Sequence, residues 1–342
     1  MRQPCASRPI AGAADRQRYT GAMKLSATRK TFLRTQFIRA LGDSPERINS
    51  PERVDSPDRV DSPERVDSPE RVDSPERVDT PEQTLDAQAD PVQLARCAMW
   101  VAALYEAGLQ GEQDIELCVA QLLEIGDQAR SHGVADAASL AQFLVNQCGF
   151  EGNHQDYYAI GNSCLNRVVA ARRGIPITLA IVYLVVGYQV GLDVRGISFP
   201  GHFLVGVRSN SAVLGQRSTS DSEAAAMVLL DPFSGRELTE RDCLVQLERA
   251  IGANAAQAAV SLDKLNLDQL KEYLVPATAD QILLRLLENL KQIHLQAKDL
   301  GRAMILLDYQ IAIDAHSFDL RRQQEILHTK LSGRGDSAPP VH

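Results

Sequence analysis

A basic face is missing from this sequence. Its net charge is −8 and its pI near 5.5, which argues against a nucleic-acid-binding protein, because such proteins carry clustered positive charge. Paired cysteines are missing too. Cys5, Cys97, Cys118, Cys148, Cys164 and Cys243 are scattered without a CxxC pair or a histidine at metal-ligand spacing, so no metal and no other cofactor is implied. Reduced thiols in a cytoplasmic protein are the expectation. Cys97, Cys118 and Cys148 fall within apolar helical patterns, where cysteine behaves as a small hydrophobe. No apolar run reaches the roughly 18 residues of a membrane-spanning helix, and no transmembrane segment is expected. Residues 1–42 also lack the apolar h-region of a secretory signal.

What is present centres on Asn162 to Val207, NSCLNRVVAARRGIPITLAIVYLVVGYQVGLDVRGISFPGHFLVGV. Leu165, Val168 and Val169 recur at helical spacing, with Ser163 as the expected N-cap and Gly174 as the left-handed stop. Pro176 suits the first turn of a second helix, and Ile177 to Val186 is apolar nearly all round, as in a helix sunk in a core, with Gly191 as its C-cap. Val194 to Phe199 and Phe203 to Val207 read as strands joined through Pro200-Gly201. Alternation puts His202, Leu204 and Gly206 on one face and Phe203, Val205 and Val207 on the other. His202 then opens a strand at the rim of a sheet, where sites are commonly built.

The rest of the chain is uneven. Residues 1–43 carry nine basic residues before the acids Asp15 and Asp43 are set against them. A transit peptide and a basic amphipathic helix from Lys24 to Leu41, touching a membrane or partner, are both open, and a disordered extension is favoured. Residues 44–90 repeat the hexapeptide SPERVD with small variations. One valine per unit cannot offset chain entropy and a proline per unit blocks long helix and sheet, so a disordered linker is expected. Its Ser-Pro steps, Ser44, Ser50, Ser56, Ser62, Ser68 and Ser74, are candidate phosphorylation sites or simply a tolerated expansion.

Pro91 to Phe150 returns to helical periodicity and predicts three helices with Asp114 and Asp136 as caps. GFEGNHQDYY, 149–158, reads as an ordered loop with Tyr157 and Tyr158 packed beneath it. Ser209 to Ala225 is a polar insertion. Met227 to Leu230 is a short strand that ends at Asp231-Pro232-Phe233. A helix capped by Thr239 follows, and helical patterns run from Ala279 to Leu331, where one stretch has the length of a helical hairpin repeat. Gly333 to His342 reads as a disordered tail.

The segments GFEGN, NSCLNRVV, RRGIPITLAIVY, ISFPGHFLVGV and LLDPFSGRELT resemble the bacterial SirB1 family, whose members are similar to a transglutaminase-like domain followed by tetratricopeptide helices. The resemblance covers about Pro91 to Leu331. It implies an α+β fold, a papain/transglutaminase-like domain of a helical layer plus a small antiparallel sheet at 91–275, and tetratricopeptide-like helices at 276–332. Enzymes of that class use a cysteine at the start of a buried helix, a histidine on a strand and an aspartate on the next. There the helix N-terminus favours the thiolate, the imidazole takes its proton and the carboxylate fixes the tautomer. Carried over, the histidine falls on His202 and the aspartate on Asp231. The helix start reads Pro176-Ile177-Thr178, so the nucleophile position offers only Thr178, whose hydroxyl would need strong base assistance.

Two functions follow from the resemblance. One is a pseudoenzyme whose cleft around His202 binds a peptide or protein partner, with Asn162, Asn166, Gly201 and Phe203 as binding residues. The other is an amide hydrolase or acyltransferase with Thr178 as nucleophile, His202 as base and Asp231 as its orienter. Cys164 lies on the preceding helix and is expected to pack rather than react. A third, weaker reading is a regulatory protein whose basic N-terminus makes the outside contact.

Overall fold

The computed structural model describes residues 25–42, 90–208, 227–254 and 267–332. The hexapeptide repeats, the insertion that follows Arg208 and the C-terminal tail lie outside the described residues.

The first described element, α1 (Ala27–Ala40), is capped by Ser26, whose hydroxyl accepts the Arg29 amide at 3.1 Å. Where composition predicts a disordered basic extension, this helix docks on the protein itself. Leu33, Phe37 and Ala40 form a narrow apolar stripe that is buried, with Phe37 4.7 Å from the ring of Tyr309. A count of charges does not see such a stripe, because only its spacing of four and three residues reveals it. Lys30, Arg34 and Arg39 face outward.

Three helical segments follow: α2 (Pro91–Ala102), α3 (Glu112–Ser131) and α4 (Ala137–Gln142), which runs on as a π-helical turn, Phe143–Gln147. Asp90 and Asp136 are N-caps, accepting Val92 N at 2.9 Å and Ser139 N at 2.7 Å. Asp114 stands instead at the third position of α3, where its carboxylate takes the amides of Gln110 and Gly111.

After a short strand, β1 (Glu151–Gly152), and a 3-10 turn, Ile160–Ser163, comes α5 (Leu165–Ala171). Its N-cap position is Cys164 and not Ser163, which sits in the 3-10 turn. The left-handed residue that ends it is Arg172, φ 59°, two positions before Gly174. The Arg172 guanidinium lies 4.6 Å over the Phe150 ring, a contact worth about 0.5–1 kcal/mol that offsets part of the strain. Gly174 belongs to β2 (Arg173–Gly174), which pairs in parallel with β1.

The centre of the molecule is α6 (Pro176–Gln189), buried from Pro176 through Gly187. It packs on α2, α3 and the sheet. Each fully buried Ile, Leu or Val contributes about 1.5–3 kcal/mol relative to exposure, so this helix is held by its surroundings and needs no polar face.

Four strands form an antiparallel sheet in the order β3 (Asp193–Ile197), β4 (Leu204–Arg208), β5 (Met227–Asp231), β6 (Arg236–Leu238). One face carries Val194, Phe203, Val205, Val207 and Leu230 toward α6. The other carries Ile197, Leu204, Leu229 and Leu238 toward Cys243, Leu247 and Leu270 of α7 (Glu240–Asn254) and α8 (Leu267–Tyr273). Val205 opposes Leu230, so the start of β4 and the end of β5 lie side by side.

The remaining helices, α9 (Ala279–Gln296), α10 (Leu300–Ile313) and α11 (Phe318–Ser332), run as an antiparallel array. Ile282, Leu283, Leu286, Leu287 and Leu290 of α9 join the same core as α6, so the boundary drawn at 275/276 crosses a continuous apolar cluster. Lys291 is 1 % exposed and holds Glu288, Gln310 and Gln323 at 2.7, 2.8 and 2.7 Å. The fold is α+β, and no helix among the described residues is long and apolar enough to cross a membrane.

Candidate functional site

The segment Ser198–Phe203 makes the link between β3 and β4. The amide of Phe199 donates to Ile197 O at 2.9 Å and that of His202 to Phe199 O at 3.1 Å. Gly201 has φ +70°, in the left-handed region that glycine adopts without a steric penalty. His202 therefore sits in the turn, two residues short of β4, and not on its first position.

From there its Nε2 meets Asp231 Oδ1 at 2.8 Å. Asp231 is the last residue of β5, and the register of β4 on β5 brings the two ends together. A carboxylate only accepts, so Nε2 carries the shared proton. Asp231 also accepts the Phe233 amide at 2.9 Å and the Ser234 hydroxyl at 2.6 Å. Burial alone drives its carboxyl upward, but the hydrogen bonds from His202, Ser234 and Phe233 outweigh that and hold it below the ordinary value of 3.8.

Phe233 backs the pair. Its ring lies 6.5 Å from His202, 4.5 Å from His154 and 5.9 Å from Tyr157, centroid to centroid. It rests directly on Gly152, where a Cβ would fall 2.4 Å from the ring. The aromatic wall continues to Tyr157 and Tyr158, whose rings are 5.2 Å apart. Both are exposed, at 40 % and 68 %, where the sequence predicts packing under the loop. Asn162 supplies the reason: its Nδ2 donates to the carbonyls of Asp156 and Tyr157 and its Oδ1 accepts from Asn153 Nδ2, so a buried asparagine fills the place under the loop.

Thr178 is fully buried at the start of α6. Its hydroxyl donates to Asn162 O at 2.8 Å, lies 3.1 Å from Ile175 O and accepts the Ile175 amide at 3.2 Å. Gly174 crowds it, a Cβ on Gly174 falling 2.8 Å from the hydroxyl oxygen. No described hydrogen bond joins it to His202.

Of the other candidates, Asn166 lies half-buried on α5 with its Oδ1 lacking a hydrogen-bond partner. Gly201 shapes the turn. Phe203 is 2 % exposed and packs in the core beneath the pair. Cys164 is fully buried, and burial pushes its thiol well above the ordinary range, so it is no thiolate near neutral pH. Among the described residues no three His, Cys, Asp or Glu side chains converge as a metal site would need.

Arg285, on α9, is a further site residue and carries no sequence signal beyond being one arginine on an amphipathic helix. Its guanidinium donates to Ser198 Oγ, Phe199 O and His202 O at 3.0, 3.3 and 3.1 Å, and so holds the histidine turn. A hollow of about 80 Å³ opens between the Tyr157–Tyr158 loop and α9, lined also by Ser163, Ile175, Asn289, Gln292, Ile293 and Gln296.

This arrangement, a buried helix facing a small antiparallel sheet with a histidine and an aspartate at adjoining strand ends, agrees with what comparison with known proteins finds. The transglutaminase-like superfamily matches residues 112–288, and the chain belongs to it. Relatives include a UPF0162 protein of Xylella fastidiosa strain Temecula1, 28 % identical over 198 residues, covering 58 % of this chain and 62 % of that protein. A UPF0162 protein of Pseudomonas aeruginosa is 28 % identical over 208 residues, 60 % of this chain and 66 % of that one. F-box only protein 21 of Mus musculus is 32 % identical over 106 residues, 29 % of this chain and 15 % of that one. The chain thus spans under two thirds of the length of the Xylella relative. No solved structure matches it.

Proposed function

We propose that this chain is a transglutaminase-like protein of the SirB1 type that binds a peptide or protein segment without cleaving it. The observation that carries the reading is the state of the Thr178 hydroxyl, which is buried and bonded to three backbone groups at the position where such an enzyme needs its nucleophile. To act as one, Thr178 would have to abandon those bonds and leave a core position, at a cost of about 1–3 kcal/mol for each buried group left unpaired. The alternative of an amide hydrolase or acyltransferase through Thr178, His202 and Asp231 is therefore disfavoured.

In this reading His202 and Asp231 fix the turn that walls the cleft. Asn162 sets the loop that presents Tyr157 and Tyr158, Gly201 permits the turn and Phe203 anchors it. Asn166 lies on the neighbouring helix. Residues 91–275 form the transglutaminase-like unit and 276–332 its tetratricopeptide-like helices, one of which forms the opposite wall. No disulfide joins the described cysteines, which suits a reducing, cytoplasmic setting.

The test is an array of nine-residue synthetic peptides fixed through their N-termini and probed with the full chain. Wild type is expected to retain a subset, and Tyr157→Ala/Tyr158→Ala, which alters exposed rings, to lose it. An array on which wild type retains nothing overturns the proposal.

A further inference from the structure

The hollow between the Tyr157–Tyr158 loop and α9 has no charged residue in its lining. Its apolar and aromatic members are Tyr157, Tyr158, Ile175 and Ile293, and its polar members are Ser163 and three carboxamides, Asn289, Gln292 and Gln296. The charged residues that flank these carboxamides on α9 are engaged elsewhere. Glu288 holds Lys291 at 2.7 Å and accepts Gln292 Nε2 at 2.6 Å, while Arg285 donates to Ser198, Phe199 and His202. Ser163 is 1 % exposed and its hydroxyl has no hydrogen-bond partner among the described residues. An ionised guest would give up hydration here and meet no counter-charge, so the lining favours an uncharged one.

Size narrows the guest further. A volume of about 80 Å³ is about half the roughly 150 Å³ of an apolar cavity that admits benzene, so a branched aliphatic side chain fits where an aromatic ring does not. The two tyrosines are 40 % and 68 % exposed, and a guest seated between them and Ile293 covers apolar surface that the free chain leaves in water. Asn289 and Gln296 share a face of α9 with Ile293, four residues before it and three after it. The helix rises about 10 Å between them, the length of about three residues of extended chain. Carboxamides at that spacing are able to donate to and accept from a peptide backbone on either side of the residue that enters.

We propose that this hollow is the anchor subsite of the bound segment and selects one branched aliphatic residue, Leu, Ile or Val. The guest side chain packs among Tyr157, Tyr158, Ile175 and Ile293, and Asn289 and Gln296 hold the backbone on either side of it. Charged residues are refused at that position because nothing in the lining answers their charge. The proposal rests on the peptide-binding reading above and adds the chemistry of the residue that is read.

The same array separates the two. Each position of a retained peptide is replaced in turn by Leu, Ile, Val, Ala, Phe, Trp, Glu and Lys, and the full chain is applied again. One position is expected at which Leu, Ile and Val are equivalent within about threefold, Ala lowers retention about tenfold, and Trp, Glu or Lys abolish it. Ile293→Ala enlarges the hollow and should shift the preference at that position from Leu to Phe. Asn289→Asp changes charge and keeps shape, and it should admit Lys where wild type refuses it. A chain that is merely destabilised loses every peptide alike and shows neither shift. Retained peptides without such a position, with an aromatic or charged residue preferred there, or with a preference that neither variant moves, overturn this inference while leaving peptide binding standing. Retention of no peptide at all by wild type defeats the reading on which it rests.

Discussion

His202 Nε2 and Asp231 Oδ1 stand 2.8 Å apart across the junction of β4 and β5, with the carboxylate also taking the Phe233 amide and the Ser234 hydroxyl. These bonds give the aspartate a structural task whether or not any chemistry occurs beside it.

Replacing it exposes that task. Asp231 titrates below 3.8 in the folded protein, so its contribution is fully present above the unfolded carboxylate value and is lost as pH falls through the depressed folded one. Asp231→Asn is expected to lower stability at pH 7 by about 1–3 kcal/mol, and the gap from wild type should close as pH is taken below about 4. Urea unfolding of both proteins at pH 7, 5 and 3.5 checks this. A gap that stays constant with pH would show that the carboxylate's charge plays no part.

The cap on α6 makes a second prediction. Thr178→Val keeps the volume but removes the hydroxyl, leaving the Asn162 carbonyl and the Ile175 amide unpaired in a buried site. The expected loss is about 2–4 kcal/mol, read as a lowered Tm, while Thr178→Ser should keep most of the stability. Equal stability of wild type and Thr178→Val would deny the hydroxyl its capping role.

Lys291 makes a third. Its ammonium is buried against Glu288, Gln310 and Gln323 and ties α9 to α10 and α11. Lys291→Ala strands those partners and opens a cavity, with an expected cost of about 3–5 kcal/mol. Limited proteolysis should then cut first within 300–332, and an unchanged cleavage pattern would contradict the assignment.

The parts of this architecture that local rules control were readable in the chain. The all-apolar run Ile177 to Val186 marks the core helix, Pro176 its start, and strand alternation puts Leu204 and Val205 on opposite faces of the sheet. His202 and Asp231 each end or precede a strand, and the antiparallel register brings them together. Long-range packing was not readable. The stripe Leu33, Phe37 and Ala40 lies in a stretch dominated by charge, and its partner Tyr309 is far along the chain. Tyr157 and Tyr158 are exposed because Asn162, nearer in sequence and better suited to bond the loop carbonyls, occupies the space beneath them. Arg285 reaches the histidine turn only through the docking of α9, which no spacing within α9 discloses.

The most direct measurement of the central claim is amide turnover. The full chain is incubated at neutral pH with glutamine-containing peptides and a small primary amine, and ammonia release is compared among wild type, Thr178→Ala and His202→Ala. The account predicts that all three match the protein-free background. Ammonia released by wild type and abolished in both variants would contradict it and make Thr178 a nucleophile.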